Sequence, residues 1–363
     1  MILHRYFARR FFWSFALVMA VFAVLLFLLD LVDKMQDFPT LPLREVVTLV
    51  MLNAPSEYYE IIPLVIVLAT VALYVRLARS SELVVVRAAG RSALYALAAP
   101  LIVALLIGVI SITMLNPVVA ATSKRYNDLR NIHAGSGTSV MAIAAEGLWF
   151  RQGDAGGQTV IHAERASSDL TVLFDTTFLK FDASGQPVER IYATAARLSQ
   201  GAWVLHETKT WSLGTDSNPE AGARQSDTRR IASTLTRDRI IDSFGKPEYI
   251  PLWDLPAFIA QLERAGFSAN RYMMWFQMEL ARPLFLVALV MISAAFTMRH
   301  ARLANTGLSV LTAVMLGFGL HYIRNFAQIL GENGEIPLLL AAWAPPVASS
   351  MLAIGILLHM EDG

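Results

Sequence analysis

Six long apolar runs constrain the fold of this chain more than any other feature. They lie, in chain order, at residues 11–29, 58–75, 92–119, 273–298, 306–323 and 337–358. Each comes close to the length of about 20 residues that a helix needs to cross the hydrocarbon core of a membrane. The sequence therefore predicts an α-helical polytopic membrane protein with six transmembrane helices.

The overall composition agrees with this prediction and excludes several classes of function. Hydrophobic residues make up 55% of the 363 positions and charged residues only 16%, whereas a soluble domain carries about a quarter charged residues. The net charge of +1 gives no reason to expect a nucleic-acid partner. The chain has no cysteine, which excludes disulfides, thiolate metal sites and cysteine nucleophiles.

Arginine residues are unevenly distributed between the two sets of short loops, which predicts the orientation of the helices. One set of helix ends carries Arg5, Arg9, Arg10, Arg76, Arg79, Arg87, Arg91, Arg299 and Arg302. The opposite short loops carry only Lys34 and Arg44. Because positive residues accumulate on the cytoplasmic side, we expect both termini in the cytoplasm of a bacterial inner-membrane protein. The long segment between the third and fourth runs is then periplasmic.

That long segment, at residues 124–270, has the composition of a separate β-rich domain. Two runs of β-forming residues flank a turn at 182–185, a pattern typical of a hairpin. Many short strands separated by turns predict an all-β, jelly-roll-like domain. It would be inserted between a first membrane half at 1–123 and a second at 271–363, with a helix at 253–265 leading back to the membrane.

One strand of this domain shows a clear alternation of residue types. Strict alternation places Trp203, Leu205 and Trp211 on one face and Thr208 on the other. We therefore expect Trp203, Leu205 and Trp211 to lie on the same side of the strand.

The fourth apolar run contains two charged residues. Glu279 and Arg282 are three positions apart, so they share one face of a helix. The spacing predicts an ion pair close to the outer membrane interface.

Motifs for catalysis and cofactor binding are absent from the sequence. The Gly245-Lys246 pair is followed by Pro247, which does not match the nucleotide-binding loop G-x-x-x-x-G-K-[ST]. Neither H-E-x-x-H nor G-x-S-x-G occurs, and the seven histidines show no ligand spacing. We expect no cofactor, no bound metal and no nucleotide site in this chain.

The segment at residues 79–90, between the second and third runs, is the most informative short stretch. Its apolar residues and flanking charges suit a short helix lying along the cytoplasmic membrane surface. An ordinary connecting loop, whose arginines only anchor the topology, is an equal alternative on the residues alone.

This segment carries a resemblance to a known family. Arg79-Ser80-Ser81-Glu82-Leu83-Val84-Val85-Val86-Arg87-Ala88-Ala89-Gly90 is similar to the R-S-E-L-[VI]-x-[ML]-[RQ]-A-x-G segment of the lipopolysaccharide-export permease family, closest to its LptG branch. Shorter matches occur in the same order: Val32-Asp33, Glu146-Gly147-Leu148-Trp149, Arg271-Tyr272 and Pro283-Leu284. Three spans, a periplasmic jelly roll and three more spans match the family along the whole chain.

The resemblance implies one half of a heterodimeric permease that extracts lipopolysaccharide from the inner membrane. Its partners would be a cytoplasmic LptB-like ATPase dimer, a second LptF-like permease, and a periplasmic bridge of LptC- and LptA-like proteins. The chain itself would be a transport subunit and no enzyme. The paired LptF-type subunit is the nearest alternative within the family.

The resemblance also assigns candidate roles to residues, together with the charges noted above. The segment expected to couple to the ATPase contains Glu82, Leu83, Val84, Val86 and Arg87. In that interpretation the apolar residues seat in a groove of the ATPase and Glu82 pairs with a basic residue there. Alternatively, Glu82 pairs with a neighbour such as Arg79.

A lateral gate between the first and fifth spans is expected to admit the lipid. Its candidate contacts are Lys34, Arg324, Leu31 and Phe326. Better-known members carry a lysine before the V-D pair, whereas this chain has Asp30 there and Lys34 one turn later. Arg324 shares a helix face with His321, and the alternative to phosphate contact is snorkelling to the membrane interface.

Apolar residues of the β domain are candidates for lining a lipid path. They are Phe174, Phe178, Trp203 and Leu205, and the alternative is that they form only the core of the domain.

Two other function classes compete with transport: a membrane-anchored enzyme and a sensor with an extracytoplasmic domain. An enzyme should show clustered titratable groups in the β domain, and a sensor should carry a cytoplasmic output domain. The sequence displays neither feature.

Overall fold

The computed structural model describes residues 2–88, 90, 92–133, 142–144, 147–154, 157–167, 172–182, 184–199, 201–213, 220, 222–233, 246–264, 268–298 and 306–362. The residues named in the predictions that lie outside these ranges are Ala89, Arg91, Glu146, Gly245, Arg299 and Arg302, and the side chain of Arg87 is not described either.

Helices make up most of the described chain. They are α1 (Ile2–Asp37), α2 (Leu43–Arg79), α3 (Glu82–Ala88), α4 (Ala93–Ile110), α5 (Asn116–His133), α6 (Leu255–Arg264), α7 (Asn270–Thr297), α8 (Thr306–Glu332) and α9 (Leu338–Asp362). A π-helical turn at Ser111–Leu115 joins α4 to α5, so these two helices form one continuous span.

Six of these helical stretches are long and apolar enough to cross a membrane, which confirms the predicted number of spans among the described residues. They correspond to α1, α2, α4 with α5, α7, α8 and α9. Each is longer than its apolar run because the helix continues into polar residues at one end or at both. In lipid the backbone must satisfy its hydrogen bonds internally, and a helix does this within one segment.

Small residues let the spanning helices approach closely. A Cβ atom at Gly108 of α4 would lie 2.6 Å from the Cα atom of Pro283 in α7. One at Gly317 of α8 would lie 2.7 Å from a methyl carbon of Val67 in α2. Close packing through small residues is the usual means of helix association in membranes, where no hydrophobic effect drives helices together.

The described chain divides into two compact units. The first comprises Met1–Leu129, Glu248–Trp253 and Asn270–Gly363 and contains the six spans. The second comprises Arg130–Pro247 and Asp254–Ala269. It contains the β-strands and α6, which confirms the predicted helix within 253–265.

The second unit is built on an antiparallel sheet. Its seven described strands are neighbours in chain order: β1 (Ala142–Ala144), β2 (Gly147–Asp154), β3 (Gly157–Ala166), β4 (Val172–Phe181), β5 (Pro187–Ser199), β6 (Ala202–Ser212) and β7 (Arg224–Ala232). The antiparallel β-rich domain is thus confirmed, whereas the jelly roll stays a prediction.

The predicted hairpin joins β4 to β5. Asp182 accepts hydrogen bonds from the backbone amides of Ser184 and Gln186, both at 2.9 Å. Gly185 has a φ of 82°, a conformation that glycine adopts without steric cost. The Ser184 hydroxyl, which also donates to Asp182, lowers the pKa of that carboxyl below its ordinary value.

The predicted alternation along residues 203–211 is wrong after Leu205. Glu207 has a positive φ of 50°, which breaks the two-residue period and turns the following side chains over. Thr208 is therefore buried on the same side as Trp203 and Leu205. Trp211 leaves that side, and its ring lies 5.0 Å from the Lys209 ammonium.

A similar break occurs in β4 at Asp175, which has a φ of 52°. Leu173 and Thr176 are both buried although they are three positions apart, where an unbroken strand would place them on opposite faces. The Asp175 carboxylate accepts a hydrogen bond from Arg165 at 2.9 Å, and this bond holds the pKa of Asp175 below its usual value. Because β4 and β6 shift phase at nearly the same level, one apolar face continues across the sheet.

Candidate functional site

The segment predicted as a short helix forms α3, directly after α2. Ser80 and Ser81 separate the two helices, and Ser81 takes a left-handed backbone conformation with a φ of 58°. The helix is therefore confirmed over the connecting loop. Its position along a membrane surface stays a prediction.

The Glu82 carboxylate makes contacts outside α3. The Tyr6 hydroxyl donates a hydrogen bond to its Oε2 at 2.7 Å, and the Ser80 hydroxyl donates to its Oε1 at 2.9 Å. The Arg10 guanidinium lies 3.5 Å from Oε1 and 4.7 Å from the centre of the Tyr6 ring. Among the described residues, the ion-pair partner of Glu82 is thus Arg10 of α1 rather than Arg79.

The residues of α3 that are exposed are not the same set as the residues expected to dock. Leu83 and Val86 are buried and belong to the same apolar cluster as Phe7 of α1. Their own bundle therefore covers Leu83 and Val86 in this structure, and their seating in a partner stays a prediction. Val84 and Val85 are exposed instead, by 47% and 67% of their surface.

Lys34 lies in an acidic environment at the carboxyl end of α1. Its ammonium is 3.4 Å from Asp30 and 3.8 Å from Asp37, and it lies 5.7 Å from the centre of the Tyr126 ring. Asp30 is buried and accepts a hydrogen bond from Asn53 at 3.1 Å. The carboxylate at the position of the family's lysine thus serves as a counter-ion of Lys34.

The candidate gate residues of α8 differ in exposure. Phe326 is 63% exposed, and Leu31 on α1 is partly buried. Arg324 is buried: it donates a hydrogen bond to the Met278 carbonyl at 3.3 Å and lies 5.1 Å from the centre of the Phe285 ring. The Arg324 side chain thus faces α7 in this structure, and its contact with a lipid phosphate stays a prediction.

His321, one turn before Arg324, borders a cavity of about 320 Å³. Val67 of α2 and Leu289 of α7 also line it, together with Gly317 and Asn325 of α8. The Nε2 atom of His321 lies 3.3 Å from the Asn325 amide, and its buried Nδ1 atom has no hydrogen-bond partner among the described residues. The cavity wall is mainly apolar, and its polar side chains are Glu60 of α2 and His321, Tyr322 and Asn325 of α8.

A buried ion pair lies at the junction of α2 and α7. The Arg282 guanidinium donates two hydrogen bonds to the Glu279 carboxylate, at 2.6 and 2.9 Å, and a third to the Tyr59 carbonyl at 3.2 Å. The Tyr59 hydroxyl donates to Glu279, and the Tyr59 ring centre lies 3.9 Å from the guanidinium carbon. This set is named the Glu279 cluster below.

The sequence predicted part of the Glu279 cluster. The spacing of Glu279 and Arg282 indicated an ion pair, which is confirmed. Tyr59 gave no signal, because a tyrosine in an apolar run is ordinary and its role depends on how α2 packs on α7. Glu279 and Arg282 are almost completely buried within the bundle.

Three of the four candidate residues of the lipid path lie inside the β-rich unit. Phe178, Trp203 and Leu205 are completely buried, and the Phe178 and Trp203 rings meet edge to face. Phe174 is 37% exposed and lies 5.8 Å from the Arg165 guanidinium. Phe174 is thus outside the buried face, where its neighbour Leu173 takes the interior position, and its place on a lipid path stays a prediction.

Comparison with known proteins identifies the family. Residues 5–359 match the family described as lipopolysaccharide export system permease LptF/LptG. The chain belongs to this family. It is thus a permease subunit of lipopolysaccharide export, which confirms the resemblance found in the sequence.

Individual relatives carry the LptG name. The lipopolysaccharide export system permease protein LptG of Haemophilus influenzae is 22% identical over 316 residues, which are 86% of this chain and 85% of the relative. The protein of the same name in Escherichia coli K12 is 22% identical over 309 residues, 83% of this chain and 80% of the relative.

The Glu279 cluster predicts an asymmetric response to substitution. Glu279→Gln leaves the Arg282 charge buried without its carboxylate, so we expect a loss of about 3–5 kcal/mol in unfolding free energy. Asp37→Asn removes a carboxylate from a second i,i+3 pair, with Lys34, where Asp37 is 55% exposed. That control should cost less than about 1 kcal/mol.

Thermal unfolding of the detergent-purified protein measures both variants. The double variant Glu279→Leu with Arg282→Met should recover part of the loss, because it removes both charges. Equal losses for Glu279→Gln and Asp37→Asn would contradict a structural role for the buried pair.

Proposed function

We propose that the chain is the LptG-side permease subunit of an ABC transporter that extracts lipopolysaccharide from the inner membrane and delivers it to a periplasmic bridge. The LptG names of its relatives support this side of the transporter over the LptF side. The second permease would be LptF-like, the ATPase dimer LptB-like and the bridge LptC- and LptA-like.

The lateral gate of this proposal lies between α1 and α8. Only 6% of the residues in the most apolar stretch of α1, and 17% in that of α8, are buried, against 61% for α2 and 72% for α7. The first and fifth spans therefore leave the most apolar surface free for lipid or for the second permease. This difference in burial is the observation that carries the gate.

Lys34 and Arg324 are the proposed phosphate contacts of this gate. A lipid phosphate would compete with the exposed Asp37 for the Lys34 ammonium, and a charge-assisted hydrogen bond would favour it. The Arg324 Nε atom has no hydrogen-bond partner among the described residues. It can reach a phosphate only if α8 turns away from α7, so its contact belongs to an open gate.

Photocrosslinking tests the gate. A photoreactive residue at Phe326 or Leu31 should capture lipopolysaccharide in native membranes, because both positions border the proposed opening. Leu352 of α9, which is 52% exposed, is the matched control and should capture much less. Equal capture from Leu352 would mean that all exposed helices meet the lipid alike, and the gate would lose its support.

The β-rich unit is proposed to lie in the periplasm as a jelly roll that receives the lipid. In this division, 1–123 and 271–363 form the membrane halves and 124–270 the periplasmic domain. The buried face with Phe178, Trp203 and Leu205 supports an apolar interior, since each acyl CH₂ group removed from water contributes about 0.8 kcal/mol.

The arginine asymmetry of the loops supports this topology, and thiol labelling tests it. The chain has no native cysteine, so Ser184→Cys in the β4–β5 turn would be its one reactive thiol. An impermeant maleimide should label it in intact spheroplasts. Arg79→Cys, at a position expected in the cytoplasm, is the control and should react only after permeabilisation. The reverse labelling pattern would overturn the topology.

The ATPase is proposed to act on the chain through α3. The exposed Val84 and Val85 form an apolar face on a helix that follows a spanning helix directly, and a subunit without a nucleotide-binding loop must receive its power from a partner. Leu83 and Val86 are buried behind this face, and Glu82 and Arg87 remain proposed members of the coupling segment. Apolar side chains at the centre of an interface commonly contribute most of the binding energy.

Placing a charge on this face tests the coupling. Val85→Glu should weaken association with the ATPase by at least about tenfold, because the carboxylate loses water on docking. Val188→Glu on β5, where valine is 46% exposed, is the matched control and should leave association unchanged. Co-purification yield and binding kinetics measure both variants, and an unchanged yield for Val85→Glu would exclude α3 as the contact.

A further inference from the structure

Two polar contacts join the amino-terminal end of α1 to α3, and both end on Glu82. The Tyr6 hydroxyl donates to Oε2 at 2.7 Å, and the Arg10 guanidinium lies 3.5 Å from Oε1. We infer that Glu82, held by Tyr6 and Arg10, is a mechanical link through which movement of α3 displaces α1. This inference rests on the proposed function, in which α3 meets the ATPase and α1 borders the gate.

The occupancy of the carboxylate supports a role inside the subunit. Oε1 accepts from Ser80 and faces Arg10, and Oε2 accepts from Tyr6. Glu82 is 30% exposed, and a carboxylate has about four acceptor sites, so these contacts leave room for a basic residue of a partner as well. Within its own chain Glu82 is a positioning residue that ties α1 to α3.

The way α1 is held allows it to respond to such a link. Of its 36 residues, only Phe7, Phe11 and Asp30 are buried. Phe7 and Phe11 belong to the same cluster as Leu83 and Val86 of α3. The amino-terminal end of α1 thus shares its packing with α3, while most of the helix has no buried anchor.

The turn before α3 gives that helix its own orientation relative to α2. Ser81 has a φ of 58°, so α2 does not continue into α3. A force on α3 therefore reaches α1 through Glu82 and the shared cluster, in addition to any path through α2.

Removal of one hydroxyl tests the link. Tyr6→Phe keeps the ring beside Arg10 and deletes the hydrogen bond to Glu82. Tyr58→Phe is the matched control, because the Tyr58 hydroxyl donates to the Ala23 carbonyl of α1 at 3.1 Å, away from α3. Arg10→Gln is a second test variant, which removes the charged partner of Glu82.

The complete transporter, with its ATPase and second permease, is used for the measurement. Spin labels on cysteines replacing Trp13 of α1 and Leu358 of α9, both exposed, report the distance between the two helices with and without a non-hydrolysable ATP analogue. Transport per ATP hydrolysed is measured in parallel.

In the transporter that keeps Tyr6 and Arg10, we expect the distance between the two spin labels to change when the ATP analogue is added. Tyr6→Phe and Arg10→Gln should abolish most of that change, and Tyr6→Phe should lower transport per ATP by about tenfold, since a hydrogen bond to a charged group is among the stronger ones in proteins. ATPase association should stay unchanged, and Tyr58→Phe should keep both the change in distance and the transport ratio.

Three results would overturn the inference. Tyr6→Phe could keep the full change in distance and transport ratio, or it could lose them only to the same degree as Tyr58→Phe, which would indicate general destabilisation. It could also lose ATPase association, which would place Tyr6 in docking. If the proposed coupling through α3 is itself wrong, a different measurement shows it: the Val85→Glu variant then associates with the ATPase as well as the unsubstituted protein does.

Discussion

The buried ion pair of Glu279 and Arg282 determines how the centre of the membrane unit is arranged. An isolated charge in a low-dielectric interior costs several kcal/mol, so each partner must stay with the other and with hydrogen bonds that satisfy its remaining atoms. Tyr59 supplies two of these, one from its hydroxyl to Glu279 and one from Arg282 to its carbonyl. A slip of α2 along α7 would break them, so the cluster fixes the register of the two most buried spans.

The peripheral spans are held by weaker means, and this divides the membrane unit into a fixed centre and less constrained edges. Close approach at Gly108 brings α4 against Pro283 of α7, and such contacts depend on packing alone. The carboxyl end of α1 is held by Asp30, which Asn53 of α2 binds. Between its two ends, α1 presents apolar side chains outward. Because no residue of α1 between Phe11 and Asp30 is buried, the middle of this helix can shift with little loss of packing, which suits the wall of the proposed gate better than α2 or α7 would.

Features that depend on local spacing could be predicted from the sequence, and features that depend on distant packing could not. The six spans, the β4–β5 hairpin and the Glu279–Arg282 pair each follow from residues a few positions apart. Tyr59 and Glu279 are 220 positions apart, and Tyr6 and Glu82 are 76 apart, so no local period indicates either contact. The alternation predicted along residues 203–211 was wrong for another reason. The positive φ of Glu207 reverses it, and a glutamate carries no signal for that conformation.

The energy of the Glu82 contacts bears on what they do. Glu82 and Arg10 are each 30% exposed, and a pair of that exposure contributes at most about 1 kcal/mol to stability because solvent screens it. The fold of α3 is sufficiently explained by the burial of Leu83 and Val86, so stability does not account for three polar partners on one carboxylate. The geometry of the contacts does account for them. Tyr6 and Arg10 approach different oxygens of Glu82 from successive turns of α1, so any shift of Glu82 lengthens or shortens at least one of these contacts. A contact that is weak as a source of stability can still define the direction in which one helix moves another.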